Sequence, residues 1–507
     1  MMKKGLYGTI IALILATSFY SCNNNGIVTV KVEKAGTLAQ QCSGQQWSLI
    51  KKLAIEGPLN EIDIAFLKTL DCNGLECLDL SKAENLNDIQ FYFDSNLFSS
   101  VTLPDNVETI EDEAFQGCLN LKEIKVSPNN THFKSVDGVL YSADESKIIV
   151  YPALLSKKSF TIPASVNQIG NCLFAAAYSL ENIEVDKNNK SFCSYNGVLY
   201  NKDTTSLVSY PAGKKDDSFT LPNKVVNINW SAFWGARHLK EIKVESGNAF
   251  YTSTDGLLFE KNNAADNDYQ TLSLVAFPPG KTAVSYKLPD GVTQLSTCAF
   301  KTCQIDTLIL GKDVHFIDKW AFNGSGIKHF EVAKENISFT AVSGLLFKGN
   351  SVYLCPPALC GDVYIKPTTT IDERAFQRSR LSSLRIDPTF VTGPFFCSYC
   401  SQLESVRFEN GTKEANGLGA FFCCPRLKSA DLPESFEKIS NRMFFGCINL
   451  QKLIVRSPRV PEIDKYAFTG VDFDNCIVYV PANLINSYRE NKDWNVFKNI
   501  KPLSDNE

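Results

Sequence analysis

The sequence predicts an α+β repeat solenoid, and three observations carry that reading. The first is self-similarity at one offset: Leu103-Pro104, Val107, Ile110, Ala114-Phe115, Leu121, Ile124 and Val126 return 59 residues later as Ile162-Pro163, Val166, Ile169, Leu173-Phe174, Leu180, Ile183 and Val185, and again from Leu221-Pro222 to Val244. A fixed period of this kind marks stacked copies of one unit, each burying its apolar face only against its neighbours. The second is alternation within the unit, which places Leu121, Ile124 and Val126 inward and Glu123 and Lys125 in solvent. The third is that both ends depart from the repeat, as a solenoid with a core to cover requires.

Element by element, the chain opens with Lys3 and Lys4, an apolar run from Leu6 to Phe19, and Ser21-Cys22. That order reads as a secretory signal over residues 1–21, too short for a membrane span. Cys22 after a small residue resembles a bacterial lipobox, so it is the expected lipidation site, with 22–26 as a polar tether and simple signal cleavage as the alternative. Residues 27–98 form the expected N-terminal capping region: Val28, Val30 and Val32 alternate, and Leu75-Glu76-Cys77-Leu78-Asp79-Leu80 has the form of a first coil.

The solenoid proper is expected over 99–481. Pro104, Pro163, Pro222 and Pro289 end its strands. A column of phenylalanines (Phe115, Phe174, Phe233, Phe300, Phe322, Phe376, Phe421, Phe444 and Phe468) is expected to stack as a spine of core packing, which accounts for many of the 34 phenylalanines. Coils such as Phe300 to Phe322 are short, whereas the 59-residue units carry an extra hairpin, Gly138–Tyr141 returning as Ile148–Pro152. Related hairpins follow at Gly197–Pro211, Gly256–Pro278 and Gly344–Leu354. They read as insertions that the core does not require, projecting from one face, where a solenoid often binds. After a last expected strand at Cys476–Pro481, residues 482–507 read as an amphipathic helical cap with Tyr488, Trp494 and Phe497 on its apolar side.

Seventeen cysteines in an exported chain suggest disulfides. Their registers suggest otherwise. Cys118, Cys303, Cys400, Cys424 and Cys447 share one position in successive coils, and Cys172 and Cys298 share another, so buried thiol ladders are expected there. Cys42, Cys72, Cys77, Cys355 and Cys360 lie outside the ladders and are candidates for pairing.

The unit I-P-x-x-V-x-x-I-x-x-x-A-F-x-x-C-x-x-L, the D-G-V-L-Y hairpin and the closing V-P-x-x-L-x-x-x-Y-x-x-x-x-x-W resemble the BspA-like leucine-rich repeat proteins of Bacteroidetes and of some other bacteria and protists. Ala35–Leu38, Leu53–Gly57 and Leu78–Ser81 resemble that family's capping segment. The resemblance implies a leucine-rich repeat fold and a cell-surface adhesin or protein-binding role, some relatives engaging host matrix proteins, with no catalytic residues. It also implies an outer-membrane lipoprotein displayed at the cell surface. Asn23-Asn24-Asn25-Gly26 stands where surface-exported lipoproteins carry acidic residues, which leaves the periplasmic face as the alternative.

Chemistry finds little support in the sequence. His132, His238, His315 and His329 are the only histidines, and none has a Ser, Cys or carboxylate at a recognised spacing. Cys397-x-x-Cys400 and Cys423-Cys424 lack the spacings of a zinc site and the βαβ setting of a redox pair. No cofactor or metal is expected. A net charge of -4 without a basic stripe argues against nucleic acid. The candidate binding face is the outward column of the strands: Glu123, Lys125, Glu184, Glu241, Lys243, Glu331, Arg385, Arg407 and Asp431. Its mixed charge suits a protein or glycoprotein ligand, bound by a monomer that touches the membrane only through its lipid. Trp230, Trp234 and Trp320 support a second reading, glycan capture for carbohydrate uptake.

Overall fold

The computed structural model describes residues 21–23, 27–42, 50–69, 75–89 and 98–504, apart from 113, 263–270, 367, 388, 414 and 416. Residues 1–20 of the expected signal over 1–21, and the cysteine at 72, lie outside the described residues, and Cys22 is described only as backbone, in a short strand Ser21–Asn23 antiparallel to Ile27–Lys31. The chain is a solenoid of short parallel strands. Helix is confined to Leu38–Gln41, Glu61–Thr69, Ile485–Glu490 and one 3-10 turn among the described residues, so the fold is mostly β and the α+β expectation is too loose.

One rail of strands runs along the molecule on the side where charges alternate with apolar residues. It begins earlier than the expected boundary at 98/99. Ile27–Lys31, Lys52–Pro58 and Cys77–Glu84 pair in parallel, one after another, and lead without a break into Ser100–Leu103 and Glu123–Val126. The N-terminal region thus supplies coils of the same ladder, with Val28, Leu53, Leu78, Val101 and Ile124 in one buried row. At the other end the ladder also runs on. Helix Ile485–Glu490 is short, and Asn499–Pro502 adds a further strand beside Ile477–Val480, where a longer helix was expected. The cap aromatics do bury: Tyr488 and Trp494 are fully enclosed 4.9 Å apart, and the indole N–H donates to Pro461 O at 2.9 Å.

The phenylalanine spine forms as expected, most regularly in the last third, where Phe421, Phe444 and Phe468 stack at 5.8 and 5.5 Å with nearly parallel rings. Cys397 takes the spine place between Phe376 and Phe421. Backbone bonds tie consecutive turns there, Phe376 N–H to Phe396 O, Cys397 N–H to Ala420 O and Phe421 N–H to Met443 O.

The hairpins differ most from expectation. Each is three-stranded: in the first, Phe133–Val136, Val139–Ser142 and Lys147–Val150. The turn before the second strand, Asp137-Gly138, has both residues at positive φ (51° and 85°), and Asn196-Gly197, Asp255-Gly256 and Ser343-Gly344 repeat it. This is the two-residue hairpin turn for which Asn-Gly and Asp-Gly are the favoured pairs. The third strand then joins the solenoid's second rail, Lys147–Val150 pairing in parallel with Gln168–Ile169 and Ser206–Ser209 with Asn227–Ile228. Tyr151, Tyr210 and Phe277 enter the spine, 5.2, 6.0 and 5.4 Å from Phe174, Phe233 and Phe300. A 59-residue unit is therefore two coils, one short and one enlarged by a hairpin.

These hairpins are not dispensable insertions, which corrects the sequence reading. Val139, Leu140 and Tyr141 are consecutive and all buried, and so are Val198, Leu199 and Tyr200 and Leu257, Leu258 and Phe259. A strand is continuously apolar when both of its faces are covered. Alternate residues serve different cores: Leu140 belongs to the N-terminal cluster and Val139 and Tyr141 to the next, Leu199 to that cluster and Val198 and Tyr200 to a third. Each hairpin sheet is a wall across the solenoid, and the first rail breaks wherever one stands. Glu123–Val126 does not pair with Ser159–Ile162; Ile124 N–H instead donates to Gly138 O at 3.1 Å.

Candidate functional site

The geometry that follows from these walls is a junction, repeated at each hairpin, where its first turn abuts the outward face of a coil strand. A buried asparagine builds it. Asn189 Nδ2 donates to Pro163 O and Val166 O at 2.7 and 2.8 Å, while its Oδ1 accepts from Ser191 and Phe192 N–H at 2.9 and 2.8 Å. Asn130, Asn248 and Asn336 make equivalent sets of bonds. A serine then fastens the hairpin to the strand: Ser135 and Ser194 donate to Ile124 O and Ile183 O at 2.5 Å, and Ser253 Oγ accepts from Val244 N–H at 3.2 Å. Neither residue type was singled out from the sequence, although both recur at the 59-residue offset and that recurrence was readable.

The turn glycine lies directly over the first outward strand position. A Cβ on Gly197 would stand 2.4 Å from Asn182 Oδ1, and one on Gly256 3.0 Å from Glu241 Cγ. Strand face and hairpin tip are therefore one surface. Around Gly256 they enclose an open hollow of about 320 Å³ lined by Glu241, Lys243, Ser253, Asp255 and Lys281. Tyr286 Oη donates to Asp255 at 2.6 Å at its rim. Just before the turns, Val136, Tyr195 and Val342 are exposed, Tyr195 at 64%.

Charges on this surface are largely paired within the chain. Lys125 meets Glu123 at 2.7 Å and Lys243 meets Glu241 at 3.0 Å; the hydrogen bond to Lys125 holds the Glu123 carboxyl below its usual range. Asp137 and Asp255 pair with Lys157 and Lys281 at 2.9 and 3.4 Å. Along the last third, Arg385 and Arg407 both reach Glu409, at 2.7 and 3.0 Å, and Arg456 forks onto Asp431. Glu184 and Glu331 are exposed on their strands. The structure thus brings Glu123/Lys125 and Glu241/Lys243 together as pairs beside hairpin tips, joins Arg385 and Arg407 through Glu409, links Arg407 with Asp431 at 3.9 Å, and leaves Glu184 and Glu331 in separate coils. Exposed pairs of this kind contribute little stability and shape recognition instead.

The thiols follow the ladder reading in one register only. Cys118, Cys303, Cys400, Cys424 and Cys447 are buried, and burial pushes Cys303 up to about 12. Cys172 and Cys298 are half-buried and take positive φ, so theirs is an outer turn position. Of the cysteines outside the ladders, Cys77, Cys355 and Cys360 are free thiols. Cys397 and Cys400 lie 3.5 Å apart, enclosed. Among the described residues no group of His, Cys, Asp and Glu could hold a metal ion, and none of their helices is long and apolar enough to cross a membrane. Trp230 and Trp320 are partly exposed on the outer turns, while Lys301 covers Trp234, 4.0 Å above the ring.

Several solved structures are similar to this chain at low identity. A leucine-rich repeat protein of Eubacterium ventriosum has a similar solved structure, at 18% identity and TM-score 0.28, over 89% of this chain and 91% of that one. So has a leucine rich cell surface protein of Faecalibacterium prausnitzii, at 16% and 0.26 over 88% and 93%. The pneumococcal vaccine antigen PcpA matches at 16% and 0.27 over 96% and 99%. No curated protein matches the chain. The family model described as the BspA type leucine rich repeat region matches in six copies, over residues 13–137, 151–208, 212–328, 271–351 and 363–474. With most of its length accounted for by that repeat, the chain belongs to the BspA type leucine-rich repeat family.

Proposed function

We propose that this protein is a non-enzymatic repeat protein of the cell envelope, anchored by a lipid on Cys22, that binds a protein or glycoprotein on the surface where hairpin tips meet the strand face. One observation carries the reading: the junction recurs, with exposed apolar or aromatic residues at Val136, Tyr195 and Val342 before three of its turns and the paired charges Glu123/Lys125 and Glu241/Lys243 under two of them. Aromatic anchors rimmed by mixed charge are the usual make-up of a protein-binding surface. Membership of the repeat family supports an interaction role in general. Display at the cell surface of a Bacteroidetes-type outer membrane, a host-matrix ligand and a monomeric state belong to the same proposal, with the periplasmic face as the alternative location.

The test uses the chain from residue 27 onward, immobilised against host-matrix and bacterial-surface extracts. A ligand retained by the parent chain and released at least about tenfold faster by Tyr195→Ser with Lys243→Glu supports the reading, since loss of a central anchor acts chiefly on dissociation. Ligands that ignore both substitutions, or no ligand at all, sink it. Labelling with a fatty-acid analogue in the parent and in Cys22→Ser, followed by protease treatment of whole cells, tests the anchor and the display. The partly exposed indoles of Trp230 and Trp320 keep glycan capture as a second reading, removed by a glycan array without hits.

A further inference from the structure

We propose that a patch on the outer turns of the last third, formed by Tyr399, Phe422 and Phe445, is a latch for the chain's own N-terminal helix Glu61–Thr69, tying the two ends of the solenoid together. The position just after the spine residue holds Gln116, Ala175, Lys301, Asn323, Gln377 or Thr469 in other coils, and Trp234 in one, where Lys301 covers the ring. In two adjacent coils it holds Phe422 and Phe445, stacked at 4.8 Å with 10° between the rings, and Tyr399 meets Phe422 edge-on at 5.6 Å. Two neighbouring phenylalanines facing away from the core are an apolar patch that calls for a cover.

The cover is visible. Phe445 is only 3% exposed, yet it belongs with Cys423 to a satellite cluster separate from the main core. Ile62 packs on that cluster from the N-terminal helix. The contact is reciprocal, because Ile448, one turn beyond Phe445, packs against the N-terminal core. Arg442 stands over both Phe445 and Tyr466, at 5.8 and 5.9 Å, as a cationic rim.

The helix itself is held rigidly enough to serve. The carboxylate of Asp63, fully buried, accepts from Gly36 N–H at 2.7 Å, Leu38 N–H at 2.9 Å and Asn60 N–H at 3.0 Å, fixing the start of the helix to the segment before it. Ile62, beside it, is thereby pointed outward. Closing the ends would fix the curvature of the binding rail and shelter two phenylalanines that an open solenoid would expose.

Hydrogen exchange on the full chain tests this from both sides. With Phe445→Ser, amides of 61–69 should exchange at least about tenfold faster while those of 27–31 keep their protection, the signature of local release. With Ile62→Asp, the accelerated segment should be 419–447, and small-angle scattering should show a larger maximum dimension. If Phe445→Ser disrupts its own coil, Ile62→Asp, placed at the other end, decides alone. Unchanged exchange at 419–447 and an unchanged maximum dimension in Ile62→Asp would overturn the latch.

Discussion

The middle of the molecule, from 123 to 354, and its last third, from 360 to 502, are built from the same coil yet divide their cores differently. In the last third seven strands pair in one uninterrupted parallel sheet, from Cys360–Ile365 to Asn499–Pro502, over a single apolar cluster. In the middle the rail is cut into blocks of two or three strands, and four hairpin walls separate one cluster from the next. A continuous stack spreads its stability over nearest-neighbour interfaces. A wall makes two compartments depend on one small sheet, and that dependence can be broken experimentally.

The largest effect is expected at the asparagine that sets the second wall. Asn189→Ala removes four hydrogen bonds and leaves buried carbonyls and amides without partners, at about 1–3 kcal/mol for each group that water cannot reach and so about 4 kcal/mol in all. Hydrogen exchange should quicken in both 182–185 and 241–244, on either side of the wall. An effect confined to one compartment would contradict the wall description. Next in size, Leu199→Ala, at a fully buried wall position, is expected to cost about 3 kcal/mol by transfer and cavity formation. Leu453→Ala, equally buried in the last third, should cost about as much. Denaturation monitored by segment should show the first loosening two compartments and the second its adjacent coils only.

How much of this was legible follows from what each residue reports about itself. The strand row Val101, Ile124 and the spine through Phe421, Phe444 and Phe468 could be read because period and side-chain type agree with burial. The walls were half-legible: Val139-Leu140-Tyr141 is an unbroken apolar run, which signals burial on both faces, and Asp137-Gly138 signals a tight hairpin. Reading them as a projecting insertion discounted both signals. The junction's asparagines and serines went unnoticed because their bonds run to backbone atoms of other coils, such as Pro163 O and Ile183 O. No local pattern announces such partners. The contact of Ile62 with the cluster of Cys423 and Phe445 depends on how far the solenoid curls, a sum of small rotations to which no single motif corresponds.

Alkaline titration should separate the two regions without mutation. The walls hold buried phenols: burial pushes Tyr141, Tyr251 and Tyr353 up to about 12 from an ordinary value of 10.0. The last third holds chiefly buried thiols, with Cys476 raised to about 12 and Cys447 raised by burial from 9.0, although Tyr488 is a buried phenol there and Cys303 a buried thiol in the middle. In each case the folded state keeps a proton that the unfolded chain has released, so stability is fully present below the unfolded value and is lost as pH rises through the folded one. Loss should therefore begin above pH 9 where thiols dominate and above pH 10 in the walls. Thiolate absorbance at 240 nm and tyrosinate absorbance at 295 nm follow the two separately; a single coincident transition would show that the regions unfold as one unit.

The smallest effect belongs to the surface. Arg407, more than half exposed, pairs with Glu409 at 3.0 Å and stands 3.9 Å from Asp431, which Arg456 already binds through two nitrogens. Removing one exposed partner from such a network should change stability by no more than about 0.5 kcal/mol. Arg407→Ala is thus expected to leave thermal unfolding almost unmoved, and the same holds for Lys243→Ala beside the third wall, whose ion pair to Glu241 is the more exposed of the two. That near-equality is informative because the two regions differ so much inside. If Lys243→Ala proved markedly more destabilising than Arg407→Ala, the hairpin tip over Glu241 would be shielding the pair from water, and the hollow at that tip would owe its shape to the charges lining it.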